Sequence, residues 1–179
     1  MVQEDQLRRW YSIFWINPKK KIYKEKILFE LLYNLKDQST IVYCSSPSRA
    51  RYLSTEYYKY LIDNNIDIAN KTLSIIDWIE KYVSSDWSLI KCLKLGIGIH
   101  DGALQKHISS TVIDYFNSGF LNVLFCTATI IEGVNTTAKN VIYFDQKKGS
   151  GLLIDFFDYS NIKGRAGRLM EHYVGALCW

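Results

Sequence analysis

The 179-residue chain has no uninterrupted apolar run long enough to cross a bilayer and no basic-then-apolar leader at its N-terminus. No membrane association is expected, and the sequence reads as a soluble cytoplasmic protein. Its four cysteines, Cys44, Cys92, Cys126 and Cys178, form no CxxC pair and have no histidine at metal-ligand spacing. That spacing argues against a zinc site. Cys44, Cys126 and Cys178 fall in strand-like runs, so the thiols read as small buried hydrophobes. No repeat or low-complexity tract occurs, and no G-x-x-x-x-G-K-[ST] loop is present to cradle the β-phosphate of a nucleotide. Charge is limited too: a net +4 favours a polyanionic partner without identifying one.

What the chain does have is a steady rhythm of short apolar runs and amphipathic segments, over a length suited to one α/β domain with a full core. In "KEKILFELLYNL", Ile27, Leu28, Leu31, Leu32 and Leu35 share one helical face, and "TIVYC" follows as a buried strand. The serines and Pro47 of "SSPS" open a helix from about Arg49 to Asp63. "GIGIHDG" reads as strand and turn, "LQKHISSTVIDYFNSG" as a helix ended by Gly119, and "NVLFCTA", "NVIYFD" and "GALCW" as further strands. Residues 1–26, with aromatics, Pro18 and the run Lys19, Lys20, Lys21, read as a linker or irregular arm; the lysines suit either a solvated loop or phosphate contact. The domain proper is expected over 27–179. Strands alternating with helices imply a mostly parallel sheet with helices on both faces, with ligands gathering beyond the carboxyl ends of the strands. The segments at those ends are "SSPSR", "HDGAL", "TATIIEGVN" and the turn before "NIKGRAGR".

That last stretch, residues 161–168, carries two arginines three apart, each directly behind a glycine, in a chain with only ten glycines. Arginine is always protonated, and its planar fork of donors suits the oxygens of a transferring phosphoryl group. Gly164 and its neighbour let backbone and phosphate approach closely. At one helical turn's spacing, Arg165 and Arg168 would address one anion. The competing reading is a surface helix whose arginines pair with Asp155, Asp158 or Glu171.

The order of the segments adds what no single one carries. "CTATIIEGVN" followed by "NIKGRAGR" resembles motifs V and VI of superfamily two helicases, "GIGIHDGAL" the segment that precedes motif V, and "IVYCSSPSRA" motif IV. The likeness is greatest to the Ski-type DExH group, and covers roughly Thr40 to Trp179. It implies a RecA-like three-layer α/β sandwich, the second motor domain of an ATP-dependent helicase. The sequence holds no DExH-like acidic quartet either, so ATP and Mg²⁺ would be held mainly by an N-terminal RecA-like domain of the same, longer protein.

By the family's pattern, Arg168 is the expected arginine finger and Arg165 its neighbour on the γ-phosphate. Gly133 and Asn135 would lie near the ribose or γ-phosphate, with Asn161 and Gly164 also on the nucleotide side. Asn161 stands where many relatives have glutamine, one methylene longer. A single strand of DNA or RNA would run across the other side, contacting Ser45, Ser46, Arg49, His100, Gly102, Thr127 and Thr129 through its sugar-phosphate backbone. Structural readings stand beside these: helix capping for the serines, a surface charge for Arg49, a strand-end residue bonding its own backbone for Thr127, and a polar strand end for His100. The insert "DQKKGSGLL" sits where relatives carry a strand-separating hairpin, and reads equally as a loop. The alternative function is a non-catalytic nucleic-acid or protein-binding module of the same fold.

Overall fold

The computed structural model of the protein describes residues 21–66, 71–128, 130, 136–145 and 174–177. Its elements run α1 (Lys21–Asn34), β1 (Thr40–Tyr43), α2 (Pro47–Asp63), α3 (Ser74–Tyr82), α4 (Ser88–Lys94), β2 (Ile97–His100), α5 (Lys106–Asn117), β3 (Val123–Cys126), β4 (Asn140–Tyr143) and β5 (Val174–Leu177). The five strands form one sheet in the order β2-β3-β1-β4-β5, every pairing parallel. β1 to β4 are buried along their whole length. This is why their sequences are apolar almost throughout instead of alternating.

Because β1 leads leftward to β2 while β2 leads back rightward to β3, right-handed crossovers put the connecting helices on opposite faces. The packing agrees. α2 and α4 lie on β2 and on each other, and α5 lies on β2 as well. Gly98 shows which side α5 occupies: a Cβ there would meet Leu124 Cδ1 at 2.9 Å, Leu121 Cδ1 at 3.0 Å and Val112 Cγ1 of α5 at 3.2 Å. The helix rests close on the backbone there, so a side chain at Gly98 would force the Leu124, Leu121 and Val112 methyls to shift. On the α2 side an aromatic cluster closes the core, with Tyr57 5.6 Å from Phe29 and 6.3 Å from Phe125 between ring centroids. This is the three-layer RecA-like α/β arrangement expected from the sequence.

Local signals explain the helix ends. Ser46 caps α2 by accepting from the Arg49 backbone N–H at 3.3 Å, with Pro47 in the first turn, an arrangement worth about 1 kcal/mol. Gly119 follows α5 at φ +76°, the left-handed conformation that ends helices at glycine. Two elements went unread in the sequence, α3 and α4, although Leu73, Ile76 and Ile79 recur at helical spacing and are all buried. The expected irregular arm needs correction at its end: residues 21–26 already belong to α1. They are tied down there by Lys24 Nζ donating to the Phe144 carbonyl at 2.7 Å and by Glu25 receiving Arg49.

Cys44 and Cys126 are buried free thiols, as their strand-like runs suggested, and Cys92 is a third, buried within helix α4. Burial pushes Cys92 up to about 12, so it stays protonated and packs as a small hydrophobe. Cys178 and the insert at 146–153 lie outside the described residues. Among the described residues no helix is long and apolar enough to cross a membrane.

Candidate functional site

Strand register brings the candidate segments to one level. His100, Cys126, Tyr43 and Tyr143 end β2, β3, β1 and β4 side by side, so the next residues, Asp101, Thr127, Cys44 and Phe144, leave the sheet in a row three interstrand spacings wide, roughly 14 Å. Backbone bonds hold that row together. Cys44 N–H donates to the Cys126 carbonyl at 2.8 Å, Thr127 N–H to His100 at 3.3 Å and Phe144 N–H to Tyr43 at 3.2 Å. Ser45, Gly102 and Thr127, far apart in the chain, therefore converge on the carboxyl edge where open α/β sheets bind ligands.

The side chains there are committed to different degrees. Gly102 is exposed on the turn after β2, and Thr127 is buried at the end of β3. Ser45 gives its N–H and its hydroxyl to Asp145 Oδ2, at 3.0 and 3.1 Å. Ser46 is the helix cap. Arg49 does not project as a free surface charge: its Nη1 lies 2.9 Å from Glu25 Oε1 and its Nε 3.6 Å from Asp145 Oδ2, with its side chain only 18% exposed. The guanidinium also lies 5.1 Å from the Phe144 ring centre. Arg49 thus ties α1, α2 and the end of β4 together.

His100 is 7% exposed, and no hydrogen-bond partner of its Nδ1 is found among the described residues. Burial holds the imidazole below its ordinary value of 6.5, against the opposing pull of the Asp101 carboxylate. The folded protein therefore binds this proton more weakly than the unfolded chain does. The His100 contribution to stability is full above about pH 6.5 and is lost as pH falls through and below that value. Urea midpoints measured from about pH 7.5 to 5.5 should fall more steeply for the wild type than for His100→Asn; equal slopes would refute this.

The one bidentate ion pair described at this edge was not visible in the sequence. Arg51 of α2 donates from Nε to Asp101 Oδ2 at 2.9 Å and from Nη2 to Oδ1 at 3.0 Å, and the Ala103 N–H reaches Oδ1 at 2.8 Å. Glu25, Asp145 and this pair were missed because their partners stand 24 to 100 residues away in sequence. Thr129, Gly133, Asn135, Asn161, Gly164, Arg165 and Arg168 lie outside the described residues. Among the described residues, no three histidine, cysteine or carboxylate groups cluster so as to hold a metal ion.

Residues 23–170 match the family described as Helicase conserved C-terminal domain. The chain belongs to that family. This helicase domain is 40% identical over 154 residues to Anti-bacteriophage protein B of Escherichia coli (strain K12), a match covering 86% of this chain and 20% of that protein. It is 28% identical over 153 residues to the ATP-dependent DNA helicase MER3 of Saccharomyces cerevisiae, covering 84% and 12%. Identity to the Exosome RNA helicase MTR4 of Mus musculus is 30% over 105 residues, covering 57% and 10%. The domain spans a fifth or less of the length of these relatives. Among solved structures, the C-terminal domain of the DEAD-box protein Dbp5 aligns with a TM-score of 0.62 at 21% identity, over 95% of this chain and 77% of that one. That likeness shows the fold, the RecA-like sandwich described above.

Proposed function

We propose that this helicase domain is the second motor domain of an ATP-driven nucleic-acid helicase. Its carboxyl edge grips a single strand, and its arginines act on ATP held by a first RecA-like domain. The observation that carries the reading is the convergence of Ser45, Gly102 and Thr127 on one edge of a helicase-family sheet. Of these, the Gly102 turn is exposed and bare enough for the backbone of a strand to approach closely, and phosphate oxygens are what every nucleotide offers there whatever its base. Arg49, whose charge is already balanced, acts in this reading by holding the edge in shape.

On the nucleotide side, Gly133, Asn135, Asn161 and Gly164 face the ribose and phosphates, Arg168 is the finger and Arg165 its neighbour. ATP supplies the transferable phosphoryl group, and Mg²⁺ is held by the first domain. Closing the cleft between two domains on ATP and opening it afterwards would step two strand grips past each other. Three reduced, buried thiols fit a cytoplasmic setting for this motor.

Anisotropy of fluorescent single strands, in DNA and RNA versions, tests the strand grip directly on this chain. Binding should fall steeply with added salt and show little sequence preference. If neither strand binds at low ionic strength, the proposal fails.

A further inference from the structure

The Arg51–Asp101 pair joins α2 to the turn after β2 through two hydrogen bonds. The Asp101 side chain is fully buried, 0% exposed, while Arg51 remains 44% exposed. A buried carboxylate is costly unless its lone pairs are met by charge and hydrogen bonds. Here three donors meet it: two from one edge of the guanidinium and the Ala103 N–H of the turn around Gly102. The group is planar, so bonding through the Nε and Nη2 edge leaves Nη1 on the far side. Among the described residues Nη1 meets no acceptor.

The position of this free edge is set by the sheet. Arg51 belongs to α2, which packs on β2 and β3, and it reaches Asp101 just past the end of β2, next to the β3 end where Thr127 leaves the sheet. An arginine whose orientation is fixed on one side and whose donors are open on the other has little rotamer freedom left to lose on binding. Asp101 also offsets its charge, which makes the group a directional hydrogen-bond donor more than a long-range attractor.

We infer that Arg51 is a phosphate-contacting residue for the bound single strand and that Asp101 positions it, the two forming one unit with the Gly102 turn. The ligand is a backbone phosphodiester of DNA or RNA. This rests on the strand-binding reading above, and the test separates the two.

The protein is treated with phenylglyoxal, alone and with saturating oligothymidylate or oligouridylate, and modification of Arg51 is read by mass spectrometry. The bound strand should protect Arg51. In parallel, Arg51→Lys and Arg51→Ala should each weaken strand binding about tenfold, and Arg51→Ala should also lower the salt slope, by at most about 0.7. Lysine cannot engage both carboxylate oxygens and a phosphate together. Since Arg51→Ala leaves a buried carboxylate unpaired, the paired change Arg51→Met with Asp101→Asn removes both charges and keeps an acceptor for Ala103 N–H. It should show the same loss with the folded circular dichroism spectrum intact. A strand that binds while Arg51 reacts as fast as before, or a paired variant with undiminished affinity, overturns the assignment of Arg51 and leaves the strand grip standing. Absence of any strand binding by the wild type overturns both.

Discussion

Replacing Arg168 by alanine in the complete enzyme should lower nucleic-acid-stimulated ATP turnover by at least roughly a thousandfold while changing nucleotide affinity only several-fold. In the proposed finger role, the asymmetry follows from when the guanidinium would act. Charge accumulates on the oxygens of the transferring phosphoryl group and its leaving partner mainly in the transition state, so a donor aimed there stabilises that state more than bound ATP. Arginine fingers in related phosphoryl-transfer systems contribute about 10³ to 10⁵ in rate, and a thousandfold loss corresponds to about 4 kcal/mol of barrier. Arg168→Lys keeps the positive charge but loses the planar fork, and should recover only a small part. Arg165→Ala should cost less in turnover and more in affinity if it holds the γ-phosphate in the ground state. Steady-state turnover together with equilibrium binding of a fluorescent nucleotide reads both effects. Undiminished turnover in Arg168→Ala would remove the finger assignment.

The order of elements around the strand edge was legible because each was marked locally. β1, β2, β3 and β4 are short apolar runs between turn residues, and the Ser46 cap with Pro47 announces α2 within a residue or two of its start. The level at which those strands end was not legible, since register depends on pairings between residues some 25 to 100 apart in sequence. The same distance hid the charges. "SSPSRAR" displays two arginines two residues apart, and only the fold separates them: Arg49 turns to Glu25 and Asp145, and Arg51 to Asp101. The family resemblance drew attention to Arg49 as a strand contact. Arg51 is the more exposed neighbour, and its Nη1 meets no acceptor among the described residues, while Arg49 is enclosed by α1 and Phe144. His100 shows the same limit from another side. Its strand-end position was visible, but its burial follows from helices that cover β2 on both faces.

Asp145→Ala should have the second largest effect, on stability first and on catalysis through it. A single oxygen of this carboxylate, Oδ2, accepts the Ser45 N–H and the Ser45 hydroxyl and lies 3.6 Å from Arg49 Nε, and the Asp145 side chain is only 19% exposed. Alanine leaves a half-buried backbone N–H and a hydroxyl without their acceptor, at a cost of roughly 2–3 kcal/mol. Arg49 keeps Glu25, so the loss stops short of that for a wholly stranded buried charge. In urea the midpoint should fall by about 1 M with the slope unchanged. Asp145→Asn, which retains an oxygen acceptor without the charge, should lose about half as much. Pairing Asp145→Ala with Arg49→Met in a double-mutant cycle isolates the coupling between them. The catalytic consequence comes from position: Asp145 is the last residue before the segment 146–173, which contains Arg165 and Arg168. A carboxylate bonded to Ser45, beside the cap of α2, fixes the chain at residue 145, from which that segment continues in sequence. In the complete enzyme, Asp145→Ala should therefore reduce ATP turnover more than it reduces strand affinity, even well below the unfolding temperature. A variant within about 0.5 kcal/mol of the wild type, turning over ATP at the same rate, would show that the carboxylate fixes neither the edge nor the segment that follows it.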